Sequence, residues 1–242
     1  MSESRILVII PTYNEVENLP RKVPQVLVQD ERIDILVVDD ASPDGTGDLA
    51  DTMAAENPRI HVLHRTSKDG LGKAYLAGFK WGLDHGGYEL LFEMDADISH
   101  PPEALPIMIE AAKTHDFVIG SRYVDGRVTV SNWPIGRLLT SLFGSLYART
   151  ITRMPVRDAT GGFNGWHARV LHAVGLDRVQ SNGYAFQIEL KFRAWAQGFT
   201  FTEIPILFTE RDSGESKMSK AIVREAVWRV WWLKFRQILG RL

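Results

Sequence analysis

Over the first 120 positions, apolar residues come in short unbroken runs separated by longer segments with one apolar face. ILVII at 6–10 and ILVV at 35–38 are continuous and rich in β-branched residues, the pattern of strands buried on both faces. Shorter runs at 61–63, 89–93 and 117–119 predict three more strands. Helices are predicted near 16–29, 46–56, 72–86 and 102–114. Strands alternating with helices build an α/β fold, a mostly parallel sheet covered on both faces. Ligands bind such sheets beyond the carboxyl ends of the strands. The positions to inspect are therefore 11–15, 39–45, 95–99 and 120–123. After about residue 130 the pattern lengthens into helical stretches, broken by TGGFNG at 160–165. Two short strands are expected around Pro205 within 199–208, then a loop at 211–219 with the composition of a mobile flap. A final helix is expected over 219–240.

Composition narrows the class. The 242 residues, 45% hydrophobic and 24% charged, suit one globular domain over 1–218 with a helical extension over 219–242. A net charge of −2 argues against a globally basic nucleic-acid binder, and no nucleic-acid partner is expected. The absence of cysteine excludes disulfides, thiolate metal sites and cysteine nucleophiles. The longest stretch free of charge and histidine, 138–148, has 11 residues, well short of the roughly 20 a spanning helix needs. The N-terminus has no signal-like pattern, so a cytoplasmic location is expected.

The strand ends carry the chemistry. Neither a G-x-G-x-x-G turn after the first strand nor a phosphate-binding G-x-x-x-x-G-K-[ST] loop is present, which removes the main support for dinucleotide and P-loop readings. The second strand ends in Asp39 and Asp40, followed by SPDGT at 42–46. Asp44 reads chiefly as a turn residue and Thr46 as a helix cap. The fourth strand ends in DAD at 95–97. Two carboxylates at i and i+2 repel unless a cation neutralises them, and Mg²⁺ or Mn²⁺ bound this way bridges to substrate phosphates; a solvated helix start ahead of Pro101 and Pro102 is the alternative. His64 and His100 lie near strand ends but read as structural rather than catalytic.

PTYNE at 11–15, VDDxSPDGT at 38–46, DAD at 95–97 and GSRY at 120–123 occur in an order that resembles the inverting family 2 glycosyltransferases. More narrowly, the chain resembles the polyprenol-phosphate (dolichol-phosphate) mannose synthases. Asn132 and Trp133 with Arg137 and Ser141, GYAFQIE at 183–189 and RxxGxSK at 211–217 extend the likeness over residues 5–220. The resemblance implies a GT-A fold, Rossmann-like, with GDP-mannose as donor, a polyprenyl monophosphate as acceptor and Mg²⁺ or Mn²⁺ as cofactor. It implies that Pro11, Tyr13, Glu15 and Asp40 hold the guanosine, with Val38 also among the substrate-binding residues. Asp95 and Asp97 would bind the metal, with Ala96 lining the nucleotide pocket. Arg122 would contact sugar or phosphate, Arg137 and Ser141 would receive the lipid phosphate, and Arg211 and Lys217 would close over the diphosphate. Ser99 stands where many relatives carry a glutamine as a third metal contact. Asp158, Tyr184, Gln187 and Glu189 are candidates for the acceptor side, with packing and capping as the alternative. The alternatives to this function are a transferase using a UDP-sugar and a non-catalytic binding scaffold.

A lipid acceptor also needs a membrane contact, expected at the C-terminal helix on the cytoplasmic face. Residues 217–242 carry seven Lys or Arg against the single Glu225. At helical spacing Ile222, Ala226, Val230 and Leu233 form an inner arc, and Trp228, Trp232, Phe235 and Leu239 an outer stripe. Burial of that stripe in a dimer, or against 138–151, is the competing reading.

Overall fold

The computed structural model describes residues 4–209 without Asp125 and Asn132, and 220–242 without Arg241, leaving out the side chains of Tyr184 and of 220–226. The proposed flap at 211–219, with Arg211 and Lys217, lies outside the described residues, as do Asn132 and the side chains of Tyr184, Ile222 and Ala226.

The chain runs β1 (Arg5–Thr12), α1 (Leu19–Leu27), β2 (Ile33–Asp39), α2 (Thr46–Glu56), β3 (Ile60–His64), α3 (Leu71–Asp84) and β4 (Tyr88–Glu93). It continues through α4 (Leu105–Ala112), β5 (Phe117–Ser121), β6 (Val130–Ser131), α5 (Ile135–Thr152), β7 (Asn164–His167) and α6 (Ala168–Val174). The last elements are α7 (Gly183–Ala196), β8 (Phe201–Pro205), β9 (Phe208–Thr209) and α8 (Lys220–Ile238). Seven strands form one sheet in the order β3-β2-β1-β4-β7-β5-β8, parallel except for β7, which is antiparallel to β4 and to β5. β6 and β9 pair as a separate two-stranded parallel sheet.

Strand alternation sends successive side chains to opposite faces, and both faces of β1 and β2 are apolar. Leu7, Ile9, Leu36 and Val38 enter one core with Tyr75 and Phe79 of α3, Phe186 and Leu190 of α7, and Val230 and Leu233 of α8. Ile6, Val8, Ile10, Ile35 and Val37 enter the other, with Leu19, Val23 and Val26 of α1 and Leu105 and Met108 of α4. The C-terminal helix thus shares its inner face with the main core.

Three differences from the sequence expectations have physical causes. α1 begins at Leu19 rather than 16, because Glu15 turns the chain by accepting from the backbone N–H groups of Asn18 and Leu19. The helix expected at 102–114 is a 3₁₀ turn (Pro102–Ala104) followed by α4, with Pro106 in the first helical turn. The glycine-rich break contains a central strand, β7, whose sequence NGWH has no apolar run to announce it. Gly165 is required there, since a Cβ would lie 2.4 Å from the Phe92 ring on β4. Gly165→Ala is expected to destabilise the fold by about 1–3 kcal/mol through overpacking, read as a lower denaturant midpoint at unchanged slope.

Candidate active site

The loops after β1 and β2 are tied together by short polar side chains. Asp39 accepts from Thr12 Oγ1 at 3.0 Å, from Ser42 Oγ at 2.6 Å and from the Ser42 N–H at 3.0 Å. Ser42 Oγ in turn accepts from the Asn14 N–H at 3.1 Å, and Thr46 Oγ1 accepts from the Glu15 N–H at 3.0 Å. Asp44 takes the Thr46 hydroxyl at 2.6 Å and the Val16 N–H at 3.3 Å. Asn14 and Ala41 occupy the left-handed region at φ 60° and 54°, so these bonds hold the chain in a conformation that side chains disfavour. Asp40 is paired with Arg65 at 2.6 Å. Burial raises the Asp40 carboxyl above its ordinary value, against the opposing pull of Arg65. Tyr13 lies under Lys68 Nζ at 3.6 Å, Glu15 accepts from Asn18 Nδ2 at 2.7 Å, and Val38 is buried in the core. Pro11 sits in register with Val38 across the β1–β2 pair.

Asp95 and Asp97 follow β4, at the centre of the sheet edge. The Asp95 side chain is 22% exposed, and its Oδ1 accepts from Tyr75 Oη at 3.0 Å. Its backbone N–H donates to His100 Nδ1 at 2.9 Å, which puts the proton of a neutral ring on Nε2, 4.0 Å from Asp95 Oδ2. His100 stacks on Phe163 at 5.2 Å, and burial lowers its pKa despite the charges of Asp95 and Asp97. Those facts make it a packing residue beside the site. Asp97 is buried, with Oδ1 accepting from both the N–H and the hydroxyl of Ser99. Ser99 therefore orients the Asp97 carboxylate. Ala96 is buried between the two acids. Lys22, buried on α1, donates to the His100 carbonyl at 2.7 Å, and burial lowers its pKa against the charges of Asp97 and Asp95. Its sequence position on the inner face of a helix gave no sign of this.

Beyond β5 lies a second cluster. The Arg122 guanidinium forms a fork with Asp158, Nε to Oδ2 at 2.7 Å and Nη2 to Oδ1 at 2.6 Å, and reaches Thr160 Oγ1 at 3.0 Å. Burial alone would push the Asp158 carboxyl up, but the charge and hydrogen bonds of Arg122 reverse this and hold it below its ordinary value. Asp158 is fully buried and anchors Arg122, in line with the packing alternative. Glu189 shows the packing and capping contacts of that alternative too. Its carboxylate is buried against Arg193 and caps Ser181. Gln187 is also buried, accepting from Asn164 Nδ2 at 2.9 Å, while Asn164 donates to Glu93 at 2.6 Å. Lys191 Nζ donates to the carbonyls of Asp158 and Gly161 at 3.0 and 2.7 Å, holding the turn that presents Asp158. Burial pushes Glu93 up and Lys191 down.

The rings of Tyr123, Trp133 and Phe208 surround the Arg122 guanidinium at 5.3–5.5 Å. Arg137, from the first turn of α5, stacks on Trp133 at 4.4 Å, and Ser141 one turn later accepts from Tyr123 Oη at 2.8 Å. Phe208 also lies 5.8 Å from His100, joining the carboxylate side to the arginine side. The fold thus brings Arg122, Arg137 and Ser141 into one cluster beside the acids.

A hard-cation site fits this donor set. Among the described residues no three His, Asp or Glu side chains converge on a common point, so the protein offers two carboxylates and no closed cage. That is the arrangement Mg²⁺ or Mn²⁺ accepts when substrate phosphates and water complete the shell.

The mostly parallel sheet flanked by helices, with the acid pair after β4 and the basic cluster after β5, accords with a GT-A fold. The chain belongs to glycosyl transferase family 2, which it matches over residues 7–175. It is 54% identical to the undecaprenyl-phosphate mannosyltransferase of Micrococcus luteus, over 92% of this chain and 91% of that one. It is 52% identical to the polyprenol monophosphomannose synthase of Mycolicibacterium smegmatis, over 93% of this chain and 85% of the other. In fold it is similar to a mannosyltransferase of Pyrobaculum calidifontis solved with GDP-Man and Mn²⁺, at a TM-score of 0.56 and 18% identity, covering 98% of this chain and 74% of that one.

Proposed function

We propose that this glycosyltransferase moves mannose from GDP-mannose to a polyprenyl monophosphate. The observation that carries the reading is the pairing of an acid pair after β4 with an arginine–serine cluster after β5, in a chain so similar to two polyprenyl-phosphate mannosyltransferases. Asp95 and Asp97 would hold Mg²⁺ or Mn²⁺, which supplies positive charge for the departing diphosphate. The tied loops after β1 and β2 present Tyr13, Glu15 and Asp40 toward the base and ribose. Arg137 and Ser141 position the acceptor phosphate, while Arg122, held by Asp158, supplies a fixed positive field beside it. A phosphate monoester is already anionic near neutral pH, so orienting it matters more than deprotonating it. Its oxygen attacks the anomeric carbon opposite the leaving GDP, and configuration inverts. The test compares nucleoside diphosphate release with GDP-mannose and UDP-glucose, each with and without polyprenyl phosphate. Acceptor-dependent release of GDP alone supports the reading. Release from UDP-glucose alone changes the donor, and release from neither favours a binding scaffold.

The reading includes a peripheral membrane contact. Among the described residues no helix is long and apolar enough to cross a membrane. α8 instead exposes Trp228, Trp231, Phe235 and Ile238, with Leu239 exposed just past its end, and α5, packed against it, exposes Ile135, Leu139, Phe143 and Leu146. Tyr147 Oη ties the two helices by donating to the Val227 carbonyl at 3.1 Å. The outer stripe expected from spacing needs one correction. Trp232 packs partly into the core between Arg229 and Arg236, and Trp231 takes the exposed place. Apolar side chains bordered by arginines suit anionic headgroups. The intact protein is expected to pellet with anionic liposomes at low salt, and Trp231→Glu to lose most of that binding. Unchanged pelleting with an altered oligomeric state would make the face a protein interface instead.

A further inference from the structure

We propose that Tyr75 is a positioning residue for the metal site, its buried hydroxyl fixing the orientation of the Asp95 carboxylate. The inference rests on the reading of Asp95 as a metal-binding acid.

Tyr75 lies on the inner face of α3 and is fully buried. Its ring is stacked between neighbours, parallel to Phe186 of α7 at 6.3 Å and beside Phe79 at 6.4 Å. One turn earlier Gly72 lets α7 approach so closely that a Cβ would lie 3.0 Å from the Phe186 ring. The phenol is therefore held by two packed helices, independently of the segment that carries the acids. A buried phenol needs a partner, and this one donates to Asp95 Oδ1 at 3.0 Å. Asp95 itself follows β4 on irregular chain, with a side chain more exposed than that of Asp97. The two acids are thus oriented by different hydroxyls, Asp97 by its neighbour Ser99 and Asp95 by a residue 20 positions away. Tyr75 ties the orientation of Asp95 to the α3–α7 packing.

Two effects of the hydroxyl oppose each other. Drawing charge from the carboxylate weakens it as a donor, whereas fixing its orientation removes freedom that cation binding would otherwise have to remove. Loss of such outer partners generally weakens metal sites by about 10- to 100-fold, so orientation dominates. Tyr75→Phe keeps the ring and its stacking, and the partly exposed Asp95 can take a water in place of the hydroxyl, so the variant folds.

The experiment titrates Mn²⁺ into wild type, Tyr75→Phe and Asp95→Asn with GDP present, reading free Mn²⁺ by electron paramagnetic resonance. Tyr75→Phe is expected to bind Mn²⁺ about 10-fold more weakly, with an unchanged near-ultraviolet circular dichroism spectrum. Its transfer rate is expected to fall at limiting Mn²⁺ and to recover at saturating Mn²⁺, which a general packing defect would not produce. Equal or tighter Mn²⁺ binding by the folded variant overturns the inference, as does a rate deficit that Mn²⁺ does not rescue. If wild type binds no Mn²⁺, or Asp95→Asn binds it as well, the metal reading itself falls and the inference with it.

Discussion

Asp97→Ala is expected to lower mannosyl transfer by about 100-fold or more at saturating Mg²⁺ or Mn²⁺. The expected size follows from placement. Asp97 is almost fully buried beside the more exposed Asp95, and its orientation is set by two bonds from Ser99. With one acid removed, the other cannot both neutralise a divalent cation and orient it toward the donor diphosphate. Alanine also takes an acceptor from the Ser99 N–H, so Asp97→Asn serves as the companion variant, keeping an oxygen for that bond while removing the charge. Both variants should retain the wild-type circular dichroism spectrum. A folded Asp97→Asn protein that releases GDP at a near-normal rate would refute the assignment.

Asp158→Ala is expected to destabilise the protein by about 3–5 kcal/mol, because it removes the counter-charge of a guanidinium that stays buried. For a chain of this size that corresponds to a fall in Tm on the order of 10 °C in a thermal melt. Activity should fall too, since Arg122 is aimed by the same carboxylate. The double variant Arg122→Met, Asp158→Leu separates the two effects. Apolar replacement of a buried pair recovers much of the stability, while transfer should remain low. A single Asp158→Ala variant melting within two or three degrees of wild type, on that same scale, would show the fork to be weaker than its geometry suggests.

The parts of the fold visible in sequence are those where burial leaves an unbroken signal. β1 and β2 are apolar on both faces, and their runs locate them within a residue or two. α2 needed only Thr46 and a helical pattern, and its bounds agree at both ends. β7 had no such signal, because the middle of the sheet is filled there by Trp166 and a glycine admitting Phe92. In the site, the acids were visible because they stand immediately after a strand. The residues that brace the site were not. No motif marks Tyr75 on α3, Lys22 on α1 or Lys191 on α7. Each acts across a tertiary contact that spacing along the chain does not encode. Trp232 shows the same limit, as two adjacent tryptophans both fit the helical period and only packing decides which faces outward.

The reversed direction of β7 decides which parts of the chain can reach the substrate edge. An all-parallel sheet offers only the segments that follow its strands, as Asp40, Asp95 and Arg122 do here. A strand running the other way has its beginning at that edge, so the segment preceding it arrives there too. Asp158, Thr160 and Gly161, a few residues ahead of Asn164, use this entrance to meet Arg122 and Lys191. The inserted strand also sets a spacing. The ends of β4 and β5 stand two strand widths apart, about 10 Å, which on the proposed reading would leave room for a sugar between the acids and the arginine cluster.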